Sequence, residues 1–294
     1  DVTDDTTTQA TKAPDAPLRD RASKQLTLSP MASVTLPDNA GTLNAVPADG
    51  MIETIGDYFL PKIADNQESW QHYSRPFNAK NPKAKIAIIV TGLGMIHETS
   101  LRATRLNPNI SLSFSPYAPN LQAWVAATRA QGHEFLLDLP VETSNYPFKD
   151  PGPKALLTSI TPEENIPHLY QVLSSSMGYV GLVVPGDDIF FSASQDFIEP
   201  IMKELSNRGL MLVFSKKQTR HLMIELIDTT MIVHEQADFD VPYGSLTEWL
   251  EARFRAAESV AIRNGRVVII IQASPAAIES LAKWTVTLQK RGFT

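Results

Sequence analysis

From Lys85 onward the chain alternates between short apolar runs and longer amphipathic stretches. Runs rich in Ile, Val, Leu and Phe at 86–91, 111–115, 134–139, 179–184, 210–214, 230–233 and 266–271 predict strands. Apolar residues at helical spacing predict helices over 97–106, 119–131, 162–176, 194–208, 218–228, 245–264 and 275–291. Punctuation agrees with these elements. Thr161-Pro162-Glu163-Glu164 places an N-cap threonine, a first-turn proline and a capping-box glutamate before the fourth helix. Gly132, Gly209, Gly265 and Gly292 stand where helices should end. Strands joined by helices call for a parallel sheet, and seven such units are enough to close it, or nearly close it, into a (β/α) barrel. The chain stops at Thr294, directly after the last helix, and whether a final closing strand is missing stays open.

The pattern changes before Lys85. Residues 1–50 are rich in Thr, Asp, Ala and Pro and contain no aromatic residue, which predicts a disordered tail or linker. Residues 51–82 carry Tyr58, Phe59, Trp70, Tyr73 and Phe77 among Pro61, Pro76 and Pro82. Prolines disfavour helix, so this segment reads as an extended arm packed on the domain that spans 83–294, covering the barrel bottom or a sheet edge.

Composition narrows the function. A net charge of -6 argues against a nucleic-acid binder. The absence of cysteine excludes disulfides, thiolate metal sites and Cys nucleophiles. No run approaches the roughly 20 apolar residues of a membrane span. The chain opens on Asp1 rather than Met, so any leader or anchor is expected upstream.

The chemistry is sparse where an α/β enzyme should carry it. The first barrel strand runs into Thr91-Gly92-Leu93-Gly94, a turn without carboxylate or His. This turn also lacks the full G-x-G-x-x-G pattern and the P-loop lysine, so it is a weak phosphate motif. The six His (His72, His97, His133, His168, His221 and His234) include no pair at the three-to-five residue spacing of a shared metal. His133 precedes its strand, at the bottom of the sheet, and reads as structural. Trp124, Trp249 and Trp284 fall in helices and read as packing residues. Ser215-Lys216-Lys217 could bind an anion, although a solvated charged loop is the commoner meaning.

Three stretches carry a resemblance: Lys85-Ile86-Ala87-Ile88-Ile89-Val90-Thr91-Gly92-Leu93-Gly94, Leu112-Ser113-Phe114-Ser115-Pro116-Tyr117-Ala118-Pro119-Asn120, and Gly132-His133-Glu134-Phe135-Leu136-Leu137-Asp138-Leu139-Pro140-Val141-Glu142. The third continues through Asn145-Tyr146-Pro147 to Asp150-Pro151-Gly152-Pro153, and Gly181 and Arg208-Gly209-Leu210 follow in the same order. From about Leu60 on, the chain resembles the divergent polysaccharide deacetylase family, YibQ-like relatives of the NodB-type carbohydrate esterases. Trp70-Gln71-His72-Tyr73-Ser74-Arg75-Pro76-Phe77 looks like the pre-barrel arm of its α-proteobacterial branch.

The resemblance implies, for active relatives, a zinc ion held by Asp and His that polarises an acetyl carbonyl and activates water. Here the paired Asp after the first strand falls on Thr91 and Gly92, and the His after the third on Asp138. The Asn/His cluster after the fourth falls near Val183, Val184 and Pro185, an Asp after the fifth on Phe214, and the late His on Gln272. No metal or other cofactor is therefore expected. The resemblance further implies a periplasmic or envelope-anchored protein whose partner is glycan, peptidoglycan or an envelope protein.

The residues expected to line the vestigial cleft are Thr91, Gly92, Asp138, Glu142, Tyr146, Asp187, Asp188 and Gln272, all at or just after strand ends. Three functions stay open. One is a catalytically degenerate binding or regulatory module. Another is a hydrolase with a rearranged acidic site, in which Asp138, Glu142, Asp187 and Asp188 hold a cation or act as acid and base. The last is a purely structural scaffold. Adjacent carboxylates such as Asp187 and Asp188 rarely converge on one ion, and turn or capping roles are the plainer reading of these acids.

Overall fold

The computed structural model describes residues 43–184, 186, 195–215, 226–227 and 229–294. An N-terminal hairpin, β1 (Ile52–Ile55) and β2 (Tyr58–Pro61), is followed by the short helix α1 (Ser69–Tyr73). The barrel elements then alternate: β3 (Lys85–Leu93), α2 (His97–Ala103), β4 (Ser111–Phe114), α3 (Leu121–Ala130), β5 (Phe135–Asp138) and α4 (Pro162–Leu173). They continue as β6 (Gly181–Val183), α5 (Gln195–Asn207), β7 (Met211–Ser215), β8 (His234–Ala237), β9 (Phe239–Val241), α6 (Thr247–Asn264), β10 (Arg266–Gln272) and α7 (Pro275–Leu288).

Eight strands form one sheet in the order β8-β7-β6-β5-β4-β3-β10-β9. Each pairing is parallel. The two edge strands, β8 and β9, are consecutive in the chain and separated only by Asp238. One segment, 234–241, thus pairs with β7 through its first half and with β10 through its second. Asp238 secures the change of partner: its backbone N–H donates to Val268 O at 2.9 Å, and its Oδ2 accepts from Val268 N at 3.0 Å. This segment brings the sheet round into a nearly closed barrel. Thr294 itself pairs back, donating to Ala84 O and accepting from Ile86 N, each at 2.9 Å.

The strand period of two sorts the side chains. Ile88, Val90, Leu112, Phe114, Phe135, Leu137, Leu212, Phe214 and Ile269 face outward and join helix residues such as Trp124, Leu169, Ile201 and Leu281 in one core. Ile89, Leu136, Val183, Val213, Ala237, Val268 and Ile270 fill the barrel interior as a second cluster. Both sets are buried, which is why these strands read as continuous apolar runs. Gly181 has no room for a side chain, since a Cβ there would lie 2.1 Å from the Met211 carbonyl of the neighbouring strand.

Two expected elements differ. The strand placed at 230–233 begins instead at His234, because Met231 sits in a turn at φ 52° and Ile232 joins the outer core. The arm is not extended throughout: Glu68 and Gln71 form a capping box on α1, whose sequence lies between Pro61 and Pro76 and contains no proline. Tyr73 reaches the interior cluster at the N-terminal end of the barrel, with Trp70 packed beside it. Arg75 fastens the chain there, donating to Glu134 Oε1 at 2.8 Å and to Gly132 O at 2.7 Å. The helix expected at 218–228 lies outside the described residues except for Leu226 and Ile227. The capping box of α4 forms as the sequence predicts, between Thr161 and Glu164.

Candidate functional site at the C-terminal mouth

At the C-terminal ends of the strands the interior side chains turn polar. In a parallel pair, partners in register share a face. Ser113 is in register with Leu136, Asp138 with Val183, Ser215 with Ala237, Asp240 with Ile270 and Gln272 with Thr91. These positions therefore form the floor of the mouth.

Asp138 is the centre of this floor. Its Oδ1 accepts from Ser113 Oγ at 2.6 Å and its Oδ2 from Gly92 N at 2.8 Å. The Gly92 donor is available because β3 breaks register between Val90 and Leu93, with Gly92 at φ 74° turning its N–H inward. Burial pushes the Asp138 carboxyl up to about 6, against the opposing pull of the Ser113 and Gly92 hydrogen bonds. Thr91 Oγ1 is buried with no hydrogen-bond partner among the described residues. Across the floor Ser215 Oγ donates to Asp240 Oδ2. Gln272 Oε1 accepts from Tyr243 N at 3.1 Å, and its Nε2 occupies the space that a Cβ on Gly186 would need.

Glu142 plays a different part. Its Oε2 accepts from both the backbone N–H and the hydroxyl of Thr158, at 2.6 and 2.8 Å, which ties the two ends of the loop after β5. Tyr146 is half-buried in that loop, near the fully exposed Phe148. Inside the loop, Gly152 is at φ 98° and lies so close to Tyr117 that a Cβ would come within 2.7 Å of its ring. Tyr117 OH accepts from Lys154 N at 2.9 Å. The Asp-Pro-Gly-Pro run thus shapes the loop to the turn after β4. We expect Gly152→Ala to cost about 2 kcal/mol from combined backbone and packing strain, read as a lowered melting temperature.

Asp187 and Asp188 lie outside the described residues, as do Pro185, Lys216, Lys217 and His221. Phe214, where the resemblance expects an Asp, is buried in the outer core. His133 is fully buried, its ring nitrogens 2.7 Å from Ile110 O and 3.2 Å from Thr104 O, and burial lowers its pKa. The sequence pattern did not single out Ser113 or Asp240 as site residues, and it marked Ser215 only within an anion-binding loop rather than on this floor. Ser113 could have been found from the alternation in Leu112-Ser113-Phe114, and Asp240 from that in Phe239-Asp240-Val241.

Among the described residues the floor carries two carboxylates, Asp138 and Asp240, and no imidazole: both Asp138 oxygens accept hydrogen bonds from the scaffold, Asp240 accepts from Ser215, and Thr91, Gly92 and Gln272 stand where the resemblance expects metal ligands. Among the described residues no group of three His, Asp or Glu side chains could hold a metal. Nor, among them, is any helix long and apolar enough to cross a membrane.

Residues 88–294 match the family model for divergent polysaccharide deacetylases. The chain belongs to that family. Its structure is similar to the crystal structure of the uncharacterized protein ATU2773 from Agrobacterium tumefaciens C58, with a TM-score of 0.75 and 28% identity over 80% of this chain and 96% of that one. A weaker likeness, at a TM-score of 0.32 and 9% identity over 73% of this chain and 65% of the other, is to a BA3943 mutant described as a CE4 family pseudoenzyme with restored enzymatic activity. At that score it carries no argument for this chain. No curated protein matches.

Proposed function

We propose that this divergent deacetylase barrel is a non-hydrolytic, glycan-binding module of the cell envelope. The observation that carries the reading is the state of Asp138: at the position where the family resemblance expects a metal-binding His, both carboxylate oxygens are held by Ser113 and Gly92. In the loop after β5 beside that floor, Phe148 is exposed and Tyr146 half-exposed, surfaces suited to packing against sugar rings. Periplasmic or envelope placement, with peptidoglycan as the accessible glycan, rests on the family resemblance.

The test is co-sedimentation with purified peptidoglycan sacculi, run beside zinc titration and an acetate-release assay on N-acetylglucosamine oligomers. Sedimentation with the sacculi, no stoichiometric zinc and no acetate release are expected. Acetate release on zinc addition overturns the reading. Loss of sedimentation with retention of a crosslinked protein partner favours a scaffold instead.

One observation favours a second reading, a hydrolase with a rearranged acidic site. A buried carboxyl poised at about 6 suits a general base working near neutral pH. On that reading Asp138→Asn abolishes acetate release.

A further inference from the structure

We infer that the open cleft between the β9–α6 and β10–α7 loops is a separate saccharide subsite, in which a neutral pyranose ring packs against Tyr243. This rests on the glycan-binding reading and extends it to a surface lateral to the Asp138 floor.

The cleft has a volume of ≈340 Å³, within the about 300–1,000 Å³ of small-molecule sites. By contrast, the cavity under the arm hairpin measures ≈10 Å³, room for about one water. Tyr243, Gly244, Ser245, Leu246, Thr247, Ser274, Pro275 and Ala276 line the cleft, and none of them carries a charge. A phosphate, carboxylate or ammonium ligand would find no ionic partner in this lining. What the lining does offer is the aromatic ring of Tyr243, aliphatic side chains such as Leu246, and the hydroxyls of Tyr243, Ser245, Thr247 and Ser274. That mixture suits a sugar, which has an apolar face and a rim of hydroxyls.

Two large side chains of this lining face solvent. Tyr243 is 60% exposed and Leu246 73% exposed. The turn that presents them is held by other means: Gly244 at φ 77° sets its direction, and Ser245 Oγ donates to Pro242 O at 2.8 Å. Ser274 Oγ accepts from Ala277 N at 3.2 Å as the cap of α7 and is buried, so Ser245 and Thr247 are the more accessible of the aliphatic hydroxyls. Ser245 keeps its lone pairs to accept. The subsite is also fixed relative to the floor, because Tyr243 N donates to Gln272 Oε1. A chain lying across the mouth could engage both.

The experiment is isothermal titration calorimetry of the full chain with tetra-N-acetylchitotetraose, using wild type, Tyr243→Ala and Tyr243→Phe. Loss of a stacked ring should weaken binding about tenfold in Tyr243→Ala, while Tyr243→Phe stays within about twofold of wild type. Both variants should melt with wild type, since the side chain is exposed. Wild-type affinity in Tyr243→Ala overturns the subsite and leaves the glycan reading standing. Absence of binding by wild type overturns both.

Discussion

Arg208→Ala is expected to lower the stability of the barrel by about 3 kcal/mol, measured by denaturant unfolding or calorimetry. Arg208 is almost fully buried and is the node through which the N-terminal hairpin is fastened to the outer helices. Its Nη1 reaches Glu53 Oε1 at 2.9 Å and Pro61 O at 3.0 Å, both in the hairpin. Its Nε reaches Glu204 Oε1 at 2.7 Å on α5, and its guanidinium lies 5.1 Å from the centre of the Tyr170 ring on α4. Truncation leaves Glu204 and the Pro61 carbonyl without this donor and removes the planar group packed on Tyr170. For a domain of this size the loss corresponds to about 6–12 °C in melting temperature. Glu53→Gln is the control. Glu53 is partly exposed, so its loss of charge should cost less than about 1 kcal/mol. A melting temperature for Arg208→Ala within about 2 °C of wild type would show that the hairpin is held by apolar contacts such as Leu60 alone.

The barrel was legible in the sequence because its strands are buried on both faces. A run such as Val267-Val268-Ile269-Ile270-Ile271 has an apolar residue whichever way it points, so its existence and length survive any error in register. The segment 234–241 was misplaced for the opposite reason. It closes the sheet with His234, Glu235, Gln236, Asp238 and Asp240, residues with low strand propensity, and its place is set by partners on β7 and β10. Its polar side chains also have partners the sequence does not reveal, such as Arg266 with Glu235 at 2.5 Å. In the arm, proline count pointed to extended chain, while the decisive fact was where the prolines stop.

The candidate site was legible as a set of strand ends and illegible as a network. Asp138 and Gln272 could be placed at the mouth from the strand pattern alone. That Asp138 is fed by a backbone N–H required a register break and a positive φ at Gly92, both products of packing rather than composition. Glu142 looked like a partner for Asp138 because both stand at the mouth, at or just after the end of the same strand. The loop carries its carboxylate to Thr158 instead. Strand ends therefore identify where chemistry can occur, whereas the hydrogen-bond partners decide which carboxylates are committed to the scaffold.

Asp138→Asn separates structure from function at this floor. The folded chain holds a proton on Asp138 up to about pH 6, whereas the unfolded chain releases it near 3.8. Because the folded-state pKa is raised, wild-type stability falls as pH rises through that window and stays reduced above it. A difference of about two units corresponds to about 3 kcal/mol. Asparagine keeps the geometry: its carbonyl can accept from Gly92 N and its amide can donate to Ser113 Oγ. The variant should therefore unfold with about 3 kcal/mol more stability than wild type at pH 8, and with no advantage at pH 3, by chemical denaturation at each pH. Equal stability at pH 8 would mean that the carboxylate is hydrated in solution. A gain in stability with unchanged sedimentation on sacculi supports a binding floor in which the charge is dispensable. The same gain with loss of acetate release would make Asp138 a base kept at a cost to the fold, as active sites often are.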